Sequence, residues 1–147
     1  VKNYSTIVER MIPNRSKFRV LPIATSKKDS GKKLKSKEEM REWYCKWDFL
    51  LVTSTNEGTS NPGLESLSCG TPVITTRVGN MVEIIKDDEN GFYAEPTFKS
   101  FYQKINEVCD GITNDRYQEM RKAARKSVEK DWDWKEKSKE WVKFLCS

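Results

Sequence analysis

The sequence predicts an α/β fold, a parallel sheet flanked by helices, on three observations. Two short runs, Asp48-Phe-Leu-Leu-Val-Thr53 and Pro72-Val-Ile-Thr75, are apolar without interruption, the pattern of strands covered on both faces. Between them stands a helix start, with Asn61 as N-cap and Pro62 at the first helical position, where the N–H it lacks would have been unpaired anyway. Gly70 then falls where a left-handed C-terminal cap is wanted. A strand, loop, helix and strand in this order form the repeating unit of a parallel sheet, and ligands of such sheets sit beyond the carboxyl ends of the strands, here residues 54–61.

The remaining elements follow from local signals. Tyr4, Ile7, Val8 and Met11 are at helical spacing before Pro13-Asn14, and Phe18-Arg-Val-Leu-Pro-Ile-Ala24 reads as a strand whose Pro22 implies an edge or irregular position. Ser36 and Glu39 form a capping box for a helix that carries Met40, Trp43, Tyr44 and Trp47 on one stripe, read as packing against the sheet. Arg77-Val-Gly-Asn80 is a second loop at the same end of the sheet as residues 54–61, and a short helix over 81–86 contains Glu83. Asp87-Asp-Glu-Asn-Gly91 is a turn, and Phe92-Tyr-Ala94 is a last short strand. Thr97 caps a helix bearing Phe98, Phe101, Ile105 and Val108. Asn114 caps one bearing Tyr117, Met120, Ala124 and Val128, and Asp133 with Glu136 makes a capping box ahead of Trp134, Trp141 and Phe144.

Composition narrows the function classes. A chain of 147 residues is read as one domain, 1–147, large enough for a layered core. With 33% charged residues and a mean hydropathy of -0.78 it is expected to be soluble, and no apolar run approaches the ~20 residues of a membrane span or reads as a signal peptide. Cys45, Cys69, Cys109 and Cys146 show no Cys-x-x-Cys spacing and histidine is absent. The cysteines are therefore read as small core residues in a reducing cytosol, with no metal site expected. Residues 27–37 hold six lysines, Lys27, Lys28, Lys32, Lys33, Lys35 and Lys37, against Asp29 alone. This run is read as a solvated loop, with peripheral contact to an anionic membrane surface as its functional reading; no motif for reading nucleic acid accompanies it.

The chemistry lies in residues 53–75. An exposed helix N-terminus suits a phosphate, and Gly58 and Gly63 remove side chains where a ligand could meet backbone. Glu65, one turn into the helix, can accept hydrogen bonds from a vicinal diol such as ribose, while Glu57 in the loop faces whatever lies beyond the phosphates. A phosphate flanked by two diol-binding carboxylates describes a sugar nucleotide.

The run Glu57-Gly-Thr-Ser-Asn-Pro-Gly-Leu-Glu65-Ser-Leu-Ser-Cys-Gly-Thr-Pro-Val-Ile-Thr-Thr-Arg-Val-Gly79 resembles the Glu-x7-Glu signature of family 4 glycosyltransferases and the segment that follows it. The Asn-Pro variant of the loop is similar to bacterial surface-polysaccharide transferases, and the likeness extends through Glu83, Asp88-Glu-Asn-Gly-Phe92 and Asp131-Trp-Asp-Trp134. The resemblance implies a Rossmann-like parallel sheet that is one half of a GT-B fold, the donor-binding C-terminal half of a two-domain enzyme without its N-terminal acceptor domain or first strand. It implies that Glu57, the catalytic-site glutamate, contacts the donor sugar and that Glu65 holds the ribose. It further implies that the amides of Gly58, Thr59, Ser60 and Asn61, with Leu64 and Gly79, approach the diphosphate and sugar, and that Lys2 neutralises the diphosphate. Thr25-Ser26 would lie by the base. The aromatic-glycine pair usual in that family is replaced here by Thr59-Ser60.

The activity implied is retaining transfer from a nucleoside diphosphate sugar to a glycan or lipid-linked acceptor, in the cytoplasm and with no cofactor, the isolated domain being inactive. Two other classes share parts of this pattern. One is a sugar-nucleotide epimerase or phosphorylase of the same architecture; the other is a non-catalytic interaction module with a degenerate pocket. An exposed apolar patch is expected on the last helix, which in the resembled fold packs near the hinge to the other domain.

Overall fold

The computed structural model describes Ile7, residues 36–129 and residues 131–146. Within them run α1 (Lys37–Cys45), β1 (Leu50–Val52), α2 (Asn61–Ser68), β2 (Val73–Thr75), α3 (Met81–Ile84), β3 (Gly91–Tyr93), α4 (Phe98–Gly111), α5 (Asn114–Glu129) and α6 (Trp134–Leu145). The three strands form a parallel sheet in the order β1-β2-β3, with Leu50 opposite Val73 and Ile74 opposite Phe92. This is the Rossmann-like α/β architecture that the two apolar runs predict. The helix over 2–12 and the strand over 18–24 lie outside the described residues, apart from Ile7.

The alternation of side chains along the strands divides the core in two. Leu50, Val52 and Val73 share one cluster with Tyr44 of α1, Leu67 of α2, Met81 and Ile84 of α3, and Ala124 and Val128 of α5. Ile74 and Phe92 point the other way, into a cluster with Ile7, Phe101, Ile105 and Val108. Each large side chain buried in this way contributes about 1.5–3 kcal/mol relative to exposure. Both faces of the sheet are thereby covered, which is why its strands carry no charged residue.

Several ends form where local chemistry places them. The Ser36 hydroxyl accepts the Glu39 N–H while the Glu39 carboxylate accepts the Ser36 N–H, completing the capping box of α1. Gly70 adopts φ +70° after α2, and Thr97 Oγ1 accepts the Ser100 N–H at the start of α4.

Other ends differ from the expectation. The N-cap of α2 is Ser60, so Asn61 is its first helical residue, and α5 is capped by Thr113, whose hydroxyl accepts the Arg116 N–H, so that Asn114 is already helical. The capping box at α6 is half formed: Asp133 accepts the Lys135 N–H, but Glu136 pairs with Lys139. Helix α3 stops at Ile84 because Ile85 is extended, and the Tyr93 hydroxyl lies 3.0 Å from the carbonyl of Ile85 and from that of Met81, which also accepts the Ile85 N–H.

Two further expectations concern exposure. Cys45, Cys109 and Cys146 are exposed rather than in the core, and Cys69 is half-buried. Along α6, Trp141 is 56% and Phe144 73% exposed, so the anticipated apolar patch is present there. No helix of the described residues is long and apolar enough to cross a membrane.

Candidate functional site

Beyond the carboxyl ends of β1 and β2, two loops meet. The first carries the segment from Thr53 to Ser60, the second the segment from Thr76 to Asn80. They are joined backbone to backbone by Asn80 N–H donating to the Gly58 carbonyl at 3.1 Å, and side chain to backbone by Ser60 N–H donating to Asn80 Oδ1 at 2.8 Å. Nearer the sheet, Thr76 N–H donates to the Val52 carbonyl at 3.1 Å and Thr76 Oγ1 to the Ser54 carbonyl. Gly79 makes this approach possible: its φ is +45°, and a β-carbon there would lie 2.3 Å from the Gly58 carbonyl oxygen and 2.6 Å from that of Glu57.

The loops enclose an open cleft of about 430 Å³ lined by Thr55, Asn56, Glu57, Gly58, Arg77, Val78 and Gly79. Glu57 is fixed within it by the Ser54 hydroxyl, which donates to Oε1 at 2.6 Å, while Oε2 is buried and accepts no hydrogen bond among the described residues. Such an oxygen is poised for a donor from outside the chain, since a buried unsatisfied acceptor is costly. The opposing charge is Arg77, whose guanidinium carbon lies 3.9 Å from the centroid of the Tyr93 ring. The stacking is possible because Tyr93 ends β3 opposite Thr75, two residues before Arg77.

Glu65 is on α2, exposed, and outside the cleft lining; its Oε2 accepts the Tyr44 hydroxyl at 2.8 Å. Tyr44 is 2% exposed, and burial first, then the hydrogen bond and charge of Glu65, push its phenol well above the usual tyrosine range. The structure thus brings Glu57, Gly58 and Gly79 together in one cleft and sets Glu65 apart on the adjoining helix.

The other expected site residues divide. Thr59 and Asn61 are exposed at the start of α2, and Leu64 packs against the core. The Ser60 amide, expected to serve a ligand, is instead engaged by Asn80. Gly63 has a packing role, for a β-carbon there would come within 2.8 Å of Met81 Sδ. Glu83 is exposed. Lys2, Thr25, Ser26 and residues 27–35 lie outside the described residues, whereas Lys37 begins α1.

Sequence reasoning did not single out Arg77, Tyr44 or Asn80 for the site. Arg77 stands two residues after the second strand run, in the loop at the ligand end of the sheet, which is a usable signal; the partners of Tyr44 and Asn80, 21 and 20 positions away, are not readable from local pattern.

This geometry defines a class: a parallel α/β domain with a polar cleft carrying a carboxylate and a guanidinium past its strand ends. Residues 25–110 match the family described as glycosyl transferases group 1, more than half of the chain, and the protein belongs to that family. It is similar to an uncharacterized glycosyltransferase of Methanocaldococcus jannaschii, 34% identical over 101 residues that make up 68% of this chain and 28% of that protein. The chain therefore spans little more than a quarter of that relative.

Among solved structures it is similar to the Anabaena protein HepE in complex with UDP-glucose, with a TM-score of 0.69, 15% identity, and coverage of 95% of this chain and 35% of that one. It is similar also to the C-terminal domain of a glycosyl transferase group 1 family protein from Francisella tularensis, with a TM-score of 0.59, 20% identity, and coverage of 86% and 61%. These likenesses place the fold as one half of a GT-B architecture.

Proposed function

We propose that this chain is the donor-binding domain of a glycosyltransferase and binds a nucleoside diphosphate sugar. The observation that carries the reading is the buried Oε2 of Glu57, which has no partner among the described residues and belongs to the lining of a cleft that also holds Arg77. The reading has Glu57 accept a hydroxyl of the donor sugar, Glu65 accept the ribose hydroxyls, and the loop backbone at Gly58, Thr59 and Gly79 approach the donor closely. Asn61 offers an amide in the first turn of α2, where helix N–H groups lack intrahelical acceptors and the dipole favours phosphate. The bond broken is the one between the sugar and the diphosphate, so negative charge develops on the departing diphosphate. Arg77 and Lys2 supply positive charge toward it. The likeness to a protein solved with UDP-glucose supports a uridine nucleotide as the first donor to test.

In the whole protein this domain faces an acceptor-binding domain across a cleft. The sugar is transferred there with retention, to a glycan or lipid-linked hydroxyl in polysaccharide biosynthesis. The chain alone binds donor and turns over nothing. The protein is cytoplasmic, and the lysines of residues 27–37 meet the anionic inner face of the membrane.

Calorimetry with UDP-glucose tests the reading. The chain should bind it, and Glu65→Ala should reduce the affinity at least tenfold, about 1.4 kcal/mol. Absence of binding by the unaltered chain to UDP-glucose and to the other common nucleoside diphosphate sugars would instead make it an interaction module.

A further inference from the structure

Tyr44 is buried in the core, yet its hydroxyl does not bond to the core: it crosses to α2 and donates to Glu65 Oε2 at 2.8 Å. The ring is fixed by packing, with Trp43 edge-on at 5.3 Å and the side chains of the first cluster around it. The backbone is fixed as well, since Thr71 Oγ1 donates to the Tyr44 carbonyl at 2.9 Å. Its acceptor is the opposite kind of group. Glu65 is exposed, and a free glutamate side chain has considerable rotamer entropy to lose when it is ordered. A rigid buried donor therefore holds one oxygen of a carboxylate on an exposed side chain.

We infer that Tyr44 is a positioning residue that orients the Glu65 carboxylate for a vicinal diol, and so sets the selectivity of this chain for a ribonucleotide over its deoxy counterpart. The inference rests on the proposed donor site. With Oε2 held by the phenol, Oε1 faces one ribose hydroxyl and the remaining lone pair of Oε2 faces its neighbour, so both hydroxyls are met without reorganisation. Without the phenol the carboxylate must be ordered by the ligand itself, and that cost falls only on ligands that use it. The phenol remains protonated throughout the neutral range, so the donor role persists there.

The test compares UDP with 2′,3′-dideoxyuridine diphosphate by calorimetry on the 147-residue chain, on Tyr44→Phe, on Glu65→Ala and on the double variant. Phenylalanine preserves the packed ring and removes only the hydroxyl, and the thermal midpoint of each variant verifies that it is folded. Tyr44→Phe should weaken UDP binding about tenfold, leave the dideoxy nucleotide within twofold, and change nothing further in the Glu65→Ala background. Equal losses for both nucleotides, or an undiminished effect of Tyr44→Phe when Glu65 is alanine, would show a merely structural tyrosine and overturn the inference while the donor site stands. Failure of the unaltered chain to bind either nucleotide would overturn the donor site itself, and this inference with it.

Discussion

The side-chain oxygen of Asn80 accepts the backbone N–H of Ser60 at 2.8 Å, although the two are 20 positions apart, and both residues are buried. This bond ties the start of α2 to the loop after β2, so the position of the Glu-x7-Glu segment depends on a residue outside it. Replacing Asn80 by alanine leaves the Ser60 N–H buried without an acceptor, at a cost of about 1–3 kcal/mol. Urea unfolding of Asn80→Ala should therefore show a midpoint lowered with little change in slope.

Gly79→Ala strikes the same junction from the other side. The added carbon meets the carbonyl oxygens of Gly58 and Glu57, which are backbone and cannot swing aside, and φ +45° is itself unfavourable for alanine. A loss of about 1–3 kcal/mol in urea is expected, together with weaker UDP-glucose binding. Unchanged stability would mean that the two loops are not held in contact.

Much of this fold was legible in the sequence because its signals are local. The apolar runs at β1 and β2, the Ser36–Glu39 box, the left-handed Gly70 and the Thr97 cap each depend on residues a few positions apart. What local pattern could not supply was set by distant partners. Asn61 was the better N-cap by residue type, but its neighbour Ser60 is pinned by Asn80, which moves the helix start back by one. Tyr44 falls on an apolar stripe that predicts packing; its ring does pack, while the hydroxyl goes to Glu65. Glu57 and Glu65 were found by spacing, yet spacing did not reveal that they stand in different surroundings, one in the cleft and one on α2 beside α1.

Glu57 should discriminate between ligands that carry the sugar and ligands that lack it. Glu57→Gln keeps the size of the side chain but weakens its capacity to accept hydroxyl donors, so UDP-glucose affinity should fall about tenfold while that for UDP stays within twofold. Parallel calorimetric titrations with the two ligands measure the difference.

Three tyrosines, Tyr44 buried and Tyr93 and Tyr117 half-buried, give the domain an alkaline limit. Burial raises the phenols of Tyr44, Tyr93 and Tyr117 in the folded chain above their unfolded value of about 10. Above that pH the unfolded chain releases protons that the folded chain retains. Folding then becomes less favourable as pH rises, whereas below it these groups contribute no pH dependence. Urea midpoints should be flat with respect to these tyrosines near neutrality and decline above about pH 10, and Tyr44→Phe should decline less steeply.

The most direct measurement is a crystal structure of this chain with UDP-glucose bound. The hexose hydroxyls should lie within hydrogen-bond distance of Glu57 Oε2, the ribose hydroxyls on Glu65 beside the Tyr44 phenol, and the diphosphate between them against the loop backbone. A nucleotide bound elsewhere on the surface, with Glu57 Oε2 still unpartnered and Glu65 touched only by Tyr44, would contradict the account.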